Sequence, residues 1–344
     1  MKFVLTGATG LLGNNIARIA VAAGHEVVCP VRKLGDRSLD GVPVTQVQIE
    51  FDTPRSRSNA GKASMPPTKW TPSPWDELLS NCDAVIHSAA LIHIGWQRQE
   101  ESWGANVELT NQIAAAARNA NCRMVHISTV DTLGYSVDGR PVAEGVRRPA
   151  KPASAYVRSK SAAEQVVQQW VAQGLNAVVI HPGFMVGPWD WKPSSGKMIW
   201  AVAKRQIPMA PGGGCSVADV RNVAQAVVNA VTRGAPGEHY ILGGHNLRYT
   251  ELFREIAAVT GTRPPRWRVG PVVAVVAGWI GDCWTRLRGH ETDLNSALVR
   301  MGQLRHFYSS EKAVQELGYE VSPLRPAIEA AWKFLREHAV PKHP

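Results

Sequence analysis

Short apolar runs alternate with amphipathic stretches through the first half of the chain. Residues 3–5 (Phe-Val-Leu) enter a glycine turn, residues 16–23 carry apolar positions at helical spacing, and residues 25–31 are again strand-like. The alternation continues with a strand at 84–86, a helix over about 106–120 and a strand at 124–127. A helix over about 155–171 and a strand at 177–180 follow. Strands that alternate with helices predict an α/β fold with a parallel, doubly wound sheet. Residues 54–74 break the rhythm: rich in Pro, Ser, Lys and Arg and without apolar period, they predict an inserted surface loop. Beyond Pro182 the pattern loosens through Pro188, Pro193, Pro208 and Gly212-Gly213-Gly214. A helix resumes near 219–231 and a strand at 239–242, and the remainder is mostly helical.

The first turn reads Thr6-Gly7-Ala8-Thr9-Gly10-Leu11-Leu12-Gly13. Between a strand and a helix, Gly7 permits a tight turn, Gly10 lets the backbone approach a pyrophosphate, and Gly13 lets the helix pack on the strand. The free N–H groups of the helix start then face the phosphates. This predicts a Rossmann dinucleotide-binding domain over 1–188 (with the insert 54–74) and an excursion over 189–215 toward a substrate lobe. The chain returns to the Rossmann domain over 216–245, and 246–344 form a smaller, mostly helical C-terminal substrate lobe. The second strand ends Cys29-Pro30-Val31-Arg32-Lys33, where an NAD-preferring site usually carries an acid for the ribose 2′-hydroxyl. A guanidinium suits a 2′-phosphate, so Arg32 favours NADP over NAD, against the alternative that Arg32 and Lys33 are a solvated strand end.

Composition narrows the partners. The 344 residues are 44% hydrophobic and 19% charged, enough for a substantial core, and the formal charge of +10 suits anionic ligands. The basic residues are scattered and not interleaved with aromatics, which argues against nucleic acid. Five cysteines (Cys29, Cys82, Cys122, Cys215, Cys283) form no CxxC pair, so neither a metal site nor a disulfide framework is expected, and a reducing, cytoplasmic setting fits.

Tyr156 and Lys160 stand four apart at a helix start and share one face. A nearby ammonium and a cationic nicotinamide would lower the phenol pKa from its ordinary value near ~10. The spacing recurs at Tyr308 and Lys312, read here as surface capping chemistry away from any strand-end crevice. Context favours the first pair: Ser128-Thr129 closes the preceding strand and His181-Pro182-Gly183 ends the following one, where open α/β sheets bind ligands. Thr129 is preferred over Ser128 as the hydroxyl facing a substrate carbonyl.

The glycine loop, His87-Ser88-Ala89-Ala90, Asn106-Val107, Ser128-Thr129, Ser154-Ala155-Tyr156-Val157-Arg158-Ser159-Lys160 and His181-Pro182-Gly183-Phe184-Met185-Val186-Gly187-Pro188 together resemble the extended short-chain dehydrogenase/reductases. The resemblance runs over nearly the whole chain. Val31-Arg32, Asp219-Val220-Arg221, the Tyr240–Gly244 segment and the Tyr308–Lys312 segment resemble the dihydroflavonol-reductase and 3β-hydroxysteroid-dehydrogenase-like branch. The resemblance implies hydride transfer between NADPH and a carbonyl, with Tyr156 as acid/base. Thr129 would polarise the carbonyl, and Lys160 would tune Tyr156 and hold the ribose. It places Gly7, Thr9, Gly10, Leu11, Leu12, Gly13, Arg32, Ala89, Ala90, Leu91, Pro182, Gly183 and Met185 along the cofactor, with Asp52 the nearby acid for adenine. Asn106 is expected to be structural. Val130-Asp131 follow the threonine where a sugar-nucleotide dehydratase has Asp and Glu, which argues against dehydration.

Trp189, Trp191, Met198, Ile199 and Trp200, with Lys204, Arg205, Arg266 and Arg268, suggest an apolar substrate with an anionic end, although most such aromatics simply pack. Residues 272–284 read first as an ordinary core helix and second as an interfacial helix touching a membrane. A homodimer is a further expectation. The leading function is an NADP(H)-dependent oxidoreductase acting on a ketone, aldehyde or the matching alcohol of a largely apolar small molecule. The alternatives are a nucleotide-sugar epimerase with tightly bound NAD and a non-catalytic NADP sensor.

Overall fold

The computed structural model describes residues 1–50, 68–146, 148–288, 291 and 295–338. Asp52 and most of the insert lie outside the described residues. In chain order the strands are β1 (Lys2–Thr6), β2 (Glu26–Val31), β3 (Thr45–Gln48), β4 (Ala84–His87), β5 (Arg123–Ile127), β6 (Ala177–Pro182) and β7 (Phe184–Val186). Then come β8 (Met209–Ala210), β9 (Gly214–Asp219), β10 (His239–Leu242), β11 (His245–Arg248), β12 (Trp267–Arg268) and β13 (Arg305–His306). The helices are α1 (Leu11–Ala22), α2 (Pro74–Leu79), α3 (Gln99–Trp103), α4 (Leu109–Asn119), α5 (Ala155–Val171) and α6 (Gly196–Ala203). They continue with α7 (Val220–Asn229), α8 (Tyr249–Thr260), α9 (Pro271–Arg288), α10 (Ser296–Gln303), α11 (Glu311–Leu317) and α12 (Leu324–His338).

Seven strands form one sheet in the order β10-β6-β5-β4-β1-β2-β3, every neighbouring pair parallel. The chain moves outward from β1 through β2 to β3, then restarts at β4 on the other side. The carboxyl ends of β1 and β4 therefore open a crevice where a ligand can enter between diverging connections. Successive residues of β1 face opposite ways: Phe3 and Leu5 pack with α1, α7 and α11, whereas Val4 packs with α2, α4 and α5. Burial on both faces explains why these strands read as continuous apolar runs and not as alternating ones.

A third core joins β7, β8 and β9 to α6, α8 and α12. Here β9 pairs with β7, β11 and β13, a small sheet seated over the carboxyl ends of β5 and β6. Trp189 and Trp191 pack on Phe334, and Trp200 on Trp332, so these aromatics tie α12 to the lobe as packing residues. α9 departs from the core-helix expectation. It buries only Ala274, Gly278, Gly281 and Thr285, against α10, because those small residues let the helices approach closely. Its large side chains turn outward.

Candidate active site

The turn from β1 to α1 shows which glycines the protein itself requires. Gly7 has φ +73°, and a Cβ there would stand 2.7 Å from the Ala89 nitrogen; one at Gly13 would stand 2.2 Å from the Gly7 carbonyl oxygen. Gly10 differs: its Cβ would meet nothing closer than 3.4 Å. Contacts within the described residues therefore do not require a glycine at this position. α1 begins at Leu11 with no side-chain cap from Gly10, and the buried Leu11 and Leu12 side chains leave only backbone N–H groups to offer. Thr9 borders the same turn, half-buried. Gly13→Ala should therefore lower stability by about 1–3 kcal/mol. Gly10→Ala should leave the melting temperature nearly unchanged and weaken nucleotide binding at least ~10-fold. Thermal melts and cofactor titrations of the two variants test the division of roles.

Around this turn the cofactor-side residues converge. Val31 ends β2 buried, and Arg32 beside it is exposed, with no hydrogen bond or ion pair among the described residues. Ala89, Ala90 and Leu91 follow β4; the Ala89 N–H donates to the Thr6 hydroxyl at 3.2 Å. Asn106 accepts from the Leu91 N–H (2.7 Å) and donates to the Leu91 carbonyl (3.0 Å) and the Ser159 hydroxyl (2.9 Å). It fastens the post-β4 loop to α5, a structural role as expected. Pro182 ends β6, Gly183 links it to β7, which carries Met185, and a Cβ at Gly183 would collide with the Ser216 carbonyl at 2.6 Å.

Thr129, Tyr156 and Lys160 come together at the ends of β5 and β6. Ser154 caps α5 by accepting from the Val157 N–H at 3.3 Å, which places Tyr156 in the first turn and Lys160 one turn later. The Thr129 hydroxyl lies close enough to the Tyr156 phenol to lower its pKa, and its oxygen accepts from the Asp131 N–H at 3.2 Å. Ser128 turns away and donates to Glu164. Lys160 is buried, its Nζ 2.6 Å from the Ile127 carbonyl. Burial lowers its pKa to about 8, with the Glu164 charge opposing.

Within the protein itself the Tyr156 pKa is raised: burial raises it, the Asp131 and Glu164 charges add to the rise, and the nearby Thr129 hydroxyl opposes. Lys160 faces the Ile127 carbonyl, so the phenol is held protonated and ready to donate.

Two sets of contacts that the sequence does not reveal support this centre. Asp131, just past Thr129, bonds Lys151 Nζ at 2.9 Å, and Lys151 also donates to the Val130 carbonyl at 2.9 Å. Burial alone would raise the Asp131 pKa, but the Lys151 and His306 charges and the Lys151 hydrogen bond outweigh it and hold it low. The reading of Tyr308 as surface capping is also corrected. Its ring is buried, and its hydroxyl donates to the carbonyls of Val130 and Gly134, both at 2.9 Å. The reason is tertiary: β13 pairs with β9, and Tyr308 bridges to Val142, which carries the segment inward.

The second set runs behind Thr129. Gln168 Nε2 donates to the Gly237 carbonyl (3.1 Å), which identifies it as the amide nitrogen, so it also donates to His239 Nε2 (2.7 Å). His239 Nδ1 then donates to His181 Nε2 (2.8 Å), and His181 Nδ1 donates to the Thr129 carbonyl (3.1 Å). Burial lowers the His181 pKa to about 4 and that of His239 as well, so both rings stay neutral, as this chain of bonds requires. α5 thus fixes Tyr156 directly and Thr129 through two histidines. Glu164, His181 and His239 place possible metal-donor atoms within 4.8 Å of one another, but those atoms are committed to these hydrogen bonds.

Residues 3–243 match the NAD dependent epimerase/dehydratase family. A Synechocystis protein provisionally named dihydroflavonol 4-reductase is 28% identical over 99% of this chain and 96% of its own. A Stigmatella aurantiaca protein named 4-hydroxy-2-methyl-3-oxo-4-farnesyl-3,4-dihydroquinoline-1-oxide ketoreductase is 29% identical over 93% of this chain and 92% of its own. The crystal structure of gox2253 superposes with a TM-score of 0.79 at 29% identity, covering 98% of each chain.

Proposed function

The chain belongs to the NAD dependent epimerase/dehydratase family of NAD(P)-dependent enzymes, and on that premise we propose that it is an NADPH-dependent reductase of a ketone or aldehyde on a largely apolar small molecule. The observation that carries this reading is the buried, protonated Tyr156 phenol close to the Thr129 hydroxyl, one turn of α5 before the buried Lys160. The glycine turn fits a dinucleotide, since Gly10 leaves open the space that a side chain would fill. NADPH would supply the hydride. Thr129 would donate to the carbonyl oxygen, and Tyr156 would pass its proton to that oxygen as negative charge develops. The Lys160 ammonium would hold the nicotinamide ribose, and the exposed Arg32 would pair with the 2′-phosphate. Both relatives carry reductase names. Dehydration would need an acid following Thr129, and Asp131 is held ionised by Lys151.

Turnover of a carbonyl panel with NADPH and NADH, monitored by loss of the reduced nicotinamide, tests the proposal. Faster consumption of NADPH supports it. Tightly co-purified NAD with no net oxidation would assign an epimerase instead, and nucleotide binding without any turnover a sensor.

The pH dependence follows from Lys160. Its ammonium is present below about 8 and lost above it, while Tyr156 stays protonated throughout. The kcat/KM for NADPH-driven reduction should be flat near neutrality and fall by about 10-fold per unit above that value, because this ratio reports free-enzyme ionisations. A flat profile through the alkaline range would remove Lys160 from the site.

A further inference from the structure

We propose that α9 is a docking surface for a lipid bilayer bearing anionic headgroups, linked through the segment after it to the loop that holds the start of α5. Val272, Val273, Val275, Val276, Trp279 and Ile280 are each at least half exposed, and Leu287 is 81% exposed. Helices of folded chains rarely present such a face to water without a partner. The helix is too short and mixed to cross a bilayer: among the described residues no helix is long and apolar enough. An amphipathic helix lying in the interface plane fits instead.

Charge selects the occupant. Exposed Arg263, Arg266 and Arg268 precede the helix, and Arg286 and Arg288 occupy its last turn. Its one acid, Asp282, accepts from the Ser296 N–H at 3.0 Å and so faces α10. Both ends of the apolar face are therefore basic. A second copy of the chain, paired across this face in either direction, would set arginines against arginines. An anionic bilayer offers hydrocarbon to the face and negative headgroups to both ends.

The face adjoins the chemistry. Glu291, just beyond α9, hydrogen-bonds His93 (2.8 Å) and accepts from the N–H groups of Trp96 (2.9 Å) and Gln97 (3.0 Å). Asn295 donates to the Ile94 carbonyl at 3.1 Å. The carbonyls of His93 and Gly95 in turn accept from the N–H groups of Tyr156 and Ala155. A docked α9 would thus hold the 93–97 loop and the start of α5 near the bilayer, and an apolar carbonyl compound would enter from the lipid. That consequence rests on the reductase reading; the docking itself does not.

The test is co-sedimentation of the full chain with vesicles of phosphatidylcholine alone or mixed with phosphatidylglycerol. Binding to the mixed vesicles is expected, weaker to phosphatidylcholine and weakened by salt. Val276→Glu/Trp279→Glu/Ile280→Glu should reduce it at least ~10-fold, with far-UV circular dichroism and melting temperature unchanged. No binding by the wild-type chain overturns the proposal, as does binding that survives the triple variant. A concentration-dependent dimer that the same variant dissolves, without vesicle binding, assigns the face to a second copy and also overturns it. Vesicle binding by a chain that turns over no carbonyl would overturn the reductase reading alone.

Discussion

Tyr156→Phe should lower NADPH-driven carbonyl reduction by about a thousandfold, the middle of the range for removing a positioned general acid, while NADPH affinity changes by less than ~3-fold. The asymmetry comes from position. The phenol meets Thr129 at the end of β5, whereas the nucleotide's phosphates would rest on backbone between Gly10 and Gly13. Phenylalanine keeps the packing of a buried ring and removes only the donated proton. Parallel variants of the two adjacent hydroxyls sharpen the test. Thr129→Val should lose activity by about 100-fold, while Ser128→Ala, which removes a donor to Glu164 and not to the phenol, should lose little. Stopped-flow turnover and fluorescence titration of NADPH measure both halves. Residual activity above about a tenth of wild type in Tyr156→Phe would sink the proton-donor role.

The sequence was most legible where a local pattern and a backbone requirement coincide. Gly7 and Gly13 are demanded by close approach of the chain to itself, and that demand appears as residue identity between a strand and a helix. The parallel sheet was legible because burial on both faces makes strands of continuous apolar residues. Position alone favours Thr129 over Ser128; the Ser128 hydroxyl turns to Glu164, while the Thr129 hydroxyl lies near the Tyr156 phenol.

What escaped reading is what depends on distant pairing. β7, β9, β11 and β13 are short, and their partners lie from tens to about a hundred residues away. No local period marks them. Tyr308 looked like a capped surface helix start because Ser309-Ser310-Glu311 is one. Its burial follows from β13 joining β9. For α9 the composition was visible but its direction was not. An apolar stretch whose interior contacts use alanine and glycine has the hydropathy of a core helix while exposing its larger side chains. The orientation is set by α10, which accepts only the small face.

Lys151→Met should destabilise the fold by about 3–5 kcal/mol, the usual consequence of removing one partner of a buried ion pair. The Lys151 side chain is fully buried, and its ammonium satisfies both the Asp131 carboxylate and the Val130 carbonyl. Without it the carboxylate keeps His306, at 3.6 Å, while the Tyr308 hydroxyl and the Leu133 N–H remain on the Val130 carbonyl. Asp131→Asn should be comparably damaging, because it leaves an ammonium buried. The double variant should recover much of the loss, since removing both charges removes the desolvation penalty together with the attraction. Urea unfolding of the four proteins closes the cycle. If Lys151→Met shifts stability by less than about 1 kcal/mol, the pair is solvated and does not brace the site. The same charge reaches the chemistry, because Asp131 helps raise the Tyr156 pKa. Asp131→Asn should therefore favour the phenolate and help alcohol oxidation, which needs a base, more than carbonyl reduction, which needs an acid. A rise in kcat for alcohol oxidation with a fall in kcat for reduction at one pH, balanced by KM changes as the fixed equilibrium requires, would reveal a pair that holds the segment after β5 in place and keeps the tyrosine protonated.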